Sequence, residues 1–193
     1  MAVIDSRTAN VLPPISAENT SSPEDVIRIW LSLLTGLPKN QVRKRWLRKP
    51  GTRPGLDTDW CSVGVLSIKT LGTPYQAGHK GEIDDPISGD VTRESHQQLS
   101  CVASFYGPNA QEIADTFREG AQLFQNASAL KRQGLVIQSV GEEVRHLADL
   151  LFEQWVDRYD VTFVLGRKVT RKYGVRDLAS VGRIDIFTDK GKL

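Results

Sequence analysis

A change of hydrophobic period across residues 99–124 constrains this chain more than any other stretch. Leu99, Cys101, Ala103 and Phe105 lie on one side of a two-residue alternation, opposite Gln98, Ser100 and Ser104, the pattern of a strand with one buried face. Gly107-Pro108 ends the alternation, and Asn109, with Glu112 three residues on, supplies an N-cap and a capping-box acid. Ile113, Ala114, Phe117, Ala121 and Phe124 then recur at helical spacing. Strand and helix meet at a sharp corner, which implies a helix laid on a sheet. The corner carries no chemistry of its own, because one glycine and a proline without an N–H make a poor phosphate cradle.

The chain has 193 residues, which suits one domain, and its 39% hydrophobic content is enough for a sizeable core. A formal charge of +2 argues against a nucleic-acid binder that uses its whole surface, though not against a local basic patch. Cys61 and Cys101 both fall in strand-like stretches, so they read as reduced packing thiols in a reducing compartment. Asp5 and Arg7 interrupt the amino-terminal stretch where a secretory signal would need an apolar run, and no segment reaches membrane-spanning length. The expectation is a soluble protein made in a cytoplasm.

Residues 1–21 are polar and contain Pro13-Pro14, so they read as a flexible arm. Ser22-Pro23-Glu24-Asp25 opens a helix that Gly36 and Pro38 close. That helix is apolar nearly all the way round, and Val26, Ile27, Trp30, Leu33 and Leu34 are candidates for cover by a second subunit. Strands are expected at 41–46, 60–68, 95–105 and 135–140, a short helix at 127–132, and a long loop at 72–89 rich in glycine and proline. The longest element, 155–171, would span ~53 Å at ~3.3 Å per residue, against ~40 Å for a globule of this size. It therefore bends at Gly166, or its basic half with Arg167, Lys168, Arg171 and Lys172 projects as an assembly feature. Residues 22–173 are read as one α+β domain, a mostly antiparallel mixed sheet with two or three helices packed on it, a long β-hairpin and loops. Residues 174–193 form an extension with a short strand at 183–187.

Catalytic and metal chemistry find little support. His79, His96 and His146 stand far apart, and none belongs to a His-x-x-x-His or Cys-x-x-Cys pair. Cys101 sits in phase with core residues, where a thiol is inert packing. The acidic stretch Glu82, Asp84, Asp85 and Asp90 lacks the spacing of an EF-hand loop and reads as solvated. No cofactor and no enzymatic activity are expected. Arg43, Lys44, Arg45, Arg48, Lys49 and Arg53 have no acid among them. They can contact phosphates of passing DNA, with Trp46 stacking on a base, or form a solvated edge or a protein contact. The small net charge favours the second reading.

Four stretches taken in order resemble the neck or tail-terminator proteins of tailed bacteriophages, especially contractile-tailed ones. They are the helix running from Asp25-Val26-Ile27-Arg28 to Thr35-Gly36-Leu37-Pro38, then Thr58-Asp59-Trp60-Cys61, then Ser104-Phe105-Tyr106-Gly107-Pro108-Asn109-Ala110, and Arg158-Tyr159-Asp160-Val161-Thr162. The match spans 22–173. The resemblance implies a virion subunit that forms a ring, most simply sixfold, at the head–tail junction. Such a ring terminates the tail and joins it to head-completion or adaptor proteins, beside collar, tube or sheath proteins. DNA passes through its lumen without sequence specificity. Competing readings are an adjacent collar or gateway ring, a DNA-binding accessory protein that uses 43–53, and a small hydrolase.

Overall fold

The computed structural model describes residues 11–47, 52, 54–79, 89–151 and 153–175. In chain order the elements are β1 Ser16–Glu18, α1 Pro23–Thr35, β2 Val42–Lys44, β3 Trp60–His79, β4 Asp90–Tyr106, α2 Ala110–Ala121, α3 Phe124–Lys131, β5 Val136–Val140, β6 Arg145–Leu151 and β7 Gln154–Gly174. The seven strands form one mixed open sheet in the order β1-β7-β4-β3-β2, with β5 and β6 also paired to β7. β2 runs parallel to β3, while β1, β5 and β6 run antiparallel to β7. With three helices this is the α+β fold expected.

Local chemistry accounts for the helix ends. Pro23 stands at the start of α1, where its missing N–H costs nothing, and Glu24 and Asp25 lie against the positive end of the helix dipole. Gly36 closes the helix at φ 75°, its N–H bonded to the Ser32 carbonyl at 3.0 Å. At α2 the expected side-chain cap is absent. Asn109 instead gives its backbone N–H and its side-chain Nδ2 to the two carboxylate oxygens of Asp59, each at 2.8 Å. The corner is thus tied to the residue just before β3. Gly107 makes the tie possible, since at φ 109° a Cβ would lie 2.7 Å from both the Thr58 carbonyl and the Asp59 Cα.

Contacts divide the chain into two compact units. The larger, Asn19–Pro74 with Ser95–Val169, holds all three helices and the core. There Ile27 and Leu31 of α1 and Ala114 and Phe117 of α2 are buried together with Leu99, Phe105, Phe163 and Leu165 of the sheet. Phe117 is the hub, with Trp30, Phe105 and Phe163 around it at ring separations of 5.4 to 5.8 Å. The smaller unit, Met1–Glu18, Tyr75–Glu94 and Thr170–Leu193, contains β1 and the adjoining stretches of β3, β4 and β7.

Several expectations change. Of the loop placed at 72–89, residues 72–79 are strand, since β3 reaches His79, and 80–88 lie outside the described residues. Pro74 lies within β3, whose pairing with β2 involves Cys61, Ser62 and Val63 among the described residues. The arm is not wholly unstructured: Ser16, Ala17 and Glu18 pair with Lys172, Arg171 and Thr170, and the Ile15 N–H bonds the Lys172 carbonyl at 2.7 Å. β7 does not break at Gly166. The irregularity lies in its partner, between Ile137 and Ser139. A Cβ at Gly166 would meet Gln138 Nε2 at 2.7 Å, a contact the end of that flexible side chain can relieve by moving. β6 was not foreseen, for its Leu147 and Leu150 are exposed and follow no helical or strand stripe. Residues 1–10 and the strand expected at 183–187 lie outside the described residues.

Candidate partner surfaces

The first helix leaves fewer residues for a partner than its composition suggests. Ile27 is fully buried, and Trp30 lies against Phe117 while its indole N–H donates to the Asn126 carbonyl at 3.0 Å. Both belong to the chain's own core, because α2 and α3 cover that side of α1. Val26 and Leu34 are half-buried against the same cluster. Leu33, 75% exposed, and Ile29, 51% exposed, are the apolar residues α1 turns outward. Ile29 was not singled out from sequence, since a helix with apolar residues all round does not say which of them face out.

Among the described residues, the cations of the basic stretch are engaged within the chain. Lys44 Nζ reaches Asp25 Oδ2 at 2.7 Å, and Arg45 Nη1 donates to Ser104 Oγ at 2.6 Å. Arg43 donates to the Asn40 and Thr52 carbonyls. Arg48, Lys49 and Arg53 lie outside the described residues. Trp46 is exposed, with the Arg45 guanidinium 6.0 Å from its ring centre. On β7 the basic half-strand is part of the sheet: Arg171 lies opposite Ala17, and Arg167 donates to Gln97 Oε1 at 2.8 Å and to the Ser21 carbonyl. Lys168 is exposed.

Sequence reasoning missed a cluster at the far end of β4. Ser104, expected to face solvent, is fully buried. Its hydroxyl accepts from Arg45 and donates to Asp160. Arg158 grips Asp160 with two hydrogen bonds, one of them Nε to Oδ1 at 2.8 Å, and stands 3.8 Å from Asp149. Tyr106 donates to Asp149 at 3.2 Å and stacks on Trp60 with ring centres 4.2 Å apart. Burial pushes the Asp160 carboxyl up, but the hydrogen bonds from Arg158 and Ser104 and the charges of Arg158 and Arg45 outweigh it, leaving the group below its ordinary value. The hydrogen bond to Asp160 holds the Arg158 guanidinium above its own. Both groups keep their charges near neutral pH, so the cluster ties β4, β6, β7 and the residue after β2 together through fixed charges. Arg158 and Asp160, two apart on one strand, were the signal in the sequence, since that spacing puts them on one face.

Cys61 and Cys101 are free and buried. Burial, helped by the Glu24 charge, pushes the Cys101 thiol up to about 12, and burial raises Cys61 as well, so neither supplies a thiolate at neutral pH. His146 is bonded to Asp157 at 2.9 Å and stacked on Tyr159, and His96 lines an open groove with Gln97 and Gln138. Among the described residues no three histidine, cysteine or acidic side chains come together as a metal set, and no helix is long and apolar enough to cross a membrane.

A family model described as phage neck terminator protein matches residues 24–191. The chain belongs to that family. The match runs past the 22–173 span carried by the sequence resemblance and includes most of the carboxy-terminal extension. No curated protein matches the chain. A neck terminator is a structural protein of the virion, so the surfaces that matter here are those that meet other virion proteins.

Proposed function

We propose that this neck terminator subunit assembles with copies of itself into a closed ring, sixfold, at the junction of head and tail. The ring stops the tail, meets a head-completion or adaptor protein on one side and a tail tube, sheath or collar protein on the other, and lets DNA through its lumen. Membership of the neck terminator family over 24–191 carries this reading. Surface chemistry supports it, because Leu33 and Ile29 on α1 and Leu66 and Ile68 on β3 are large apolar residues left open to solvent. A heterologous interface that closes on itself is the economical way to cover such residues on every copy.

The basic stretch fits a partner contact better than a DNA-binding accessory role, since Lys44 and Arg45 are already committed to Asp25 and Ser104. A reconstruction of the particle tests the reading directly. Several copies arranged around the DNA path at the neck are expected, and a single copy, or copies scattered elsewhere in the virion, would refute it.

A further inference from the structure

Trp46 is an exposed aromatic residue that the larger unit holds in place. A Cβ at Gly64 of β3 would lie 2.5 Å from Trp46 Cζ3 and 2.9 Å from Arg45 Cβ, so the indole rests on bare β3 backbone. The Arg45 guanidinium stands 6.0 Å from the ring centre, and the ring is still 55% exposed. Alternation turns Val63 and Val65 toward the core and the helices, which leaves the exposed Leu66 and Ile68 on the face of Gly64 and Trp46. Arg43 shares that face, because Val42, opposite Cys61, is buried and Arg43 comes next, opposite Ser62. Its guanidinium donates to the Asn40 and Thr52 carbonyls, neutral partners that leave its charge in place.

A second apolar surface lies on the other side of the sheet, where Ile29 and Leu33 form the outward stripe of α1. Leu34 lies over Gly120, and the Trp30 N–H bonds the Asn126 carbonyl, which brings the joint between α2 and α3 beside that stripe. The joint presents Leu123 and Phe124, the latter 88% exposed. One helical turn before Leu123 stands the exposed carboxylate of Glu119, and α2 carries three acids, Glu112, Asp115 and Glu119, against the single Arg118.

We infer that the Trp46 face of one copy packs on the α1 face of the next. Trp46, Leu66 and Ile68 meet Ile29, Leu33 and Phe124, and Arg43 faces Glu119. A rigid, half-exposed tryptophan flanked by aliphatic residues is the kind of anchor on which interfaces concentrate their binding energy. The occupant is a second copy because both surfaces are apolar, their rims carry opposite charge, and every copy brings one of each. They lie on opposite sides of one sheet, so a copy cannot cover one with the other, and a contact that joins unlike faces repeats until it closes. The inference rests on the ring proposed above and names the contact between its subunits.

Introduced cysteines test the contact in assembled particles. Cys61 and Cys101 are buried, so a short bismaleimide reacts with the new thiols alone. Particles built from a mixture of L33C and L66C copies should give a cross-linked dimer, and copies that carry both changes should give a ladder of higher multimers. Either change alone should give no product. A dimer from L33C alone or from L66C alone means that a surface meets itself, and no product from the mixture means that the two surfaces do not meet. Each of these results overturns the inference, as does a product that joins L66C to a different virion protein.

Charge exchange gives a second readout and separates this contact from the ring itself. R43E and E119R should each lower the joining of heads to tails about tenfold or more, and both changes in one chain should restore it, because the pair re-forms across every contact with its signs exchanged. A double variant no better than the single ones overturns the inference. If the single variants join like the parent in particles that hold several copies at the neck, the inference falls and the ring stands. A single copy per particle removes the ring and this contact with it.

Discussion

Breaking the pair between Arg158 and Asp160 should cost the subunit more than any exposed ion pair. The two side chains are 19% and 10% exposed, and both carboxylate oxygens accept from the guanidinium. Asp160→Ala leaves Arg158 facing Asp149 at 3.8 Å but without its bidentate partner. Removing one member of a buried pair costs about 3–5 kcal/mol, and the remaining contact with Asp149 places this case at about 3 kcal/mol. Arg158→Ala should cost a similar amount, for it leaves a buried carboxylate with only Ser104 and Arg45 near it. The double variant should lose less than the sum, by about 2 kcal/mol of coupling. Urea unfolding of the four proteins at pH 7 measures that coupling.

Acid provides a second reading of the same pair. The folded-state carboxyl of Asp160 lies below its ordinary value of 3.8, so its contribution is complete above that pH and disappears as pH falls through the folded value. The stability difference between parent and Asp160→Ala should therefore be constant from pH 7 to about 5 and shrink below 4. A coupling under about 0.5 kcal/mol, the range of exposed pairs, would refute the reasoning. So would a difference that does not change on acidification.

Three further outcomes are expected. Phe163→Ala removes a buried ring whose centre is 5.4 Å from that of Phe117, and it should destabilise the fold by about 3–5 kcal/mol in thermal or chemical melts. Gly107→Ala should cost more than about 2 kcal/mol through the φ of 109° and the contact with Thr58 and Asp59, whereas stability equal to the parent would mean the corner is not locked as described. Cys101→Ser should cost about 1–3 kcal/mol, and native Cys101 should be alkylated no faster than the protein unfolds; rapid labelling would contradict its burial.

Sequence alone determined the parts of this protein that obey a local period. The strand Leu99 to Phe105 buries its odd-numbered side as its alternation says, though Val102, Ser104 and Tyr106 on the other side are buried too; α2 follows the corner at Gly107, and α1 starts at Pro23 and stops at Gly36. Each of these is written in residues within a few positions of one another. The order of such motifs was also enough to place the chain in its family. Tertiary structure decided what depends on distant residues. Whether Ile27 and Trp30 meet a partner or the chain's own α2 and α3 cannot be read from a helix that is apolar on every side, and packing gave them to the core. β1 pairs through backbone groups that every residue carries, so no side-chain pattern announces it. The burial of Ser104 depends on Arg45, Arg158 and Asp160, which come from β7 and from the residue after β2. A period reports which way a side chain points, and only the assembled sheet decides what stands there to meet it.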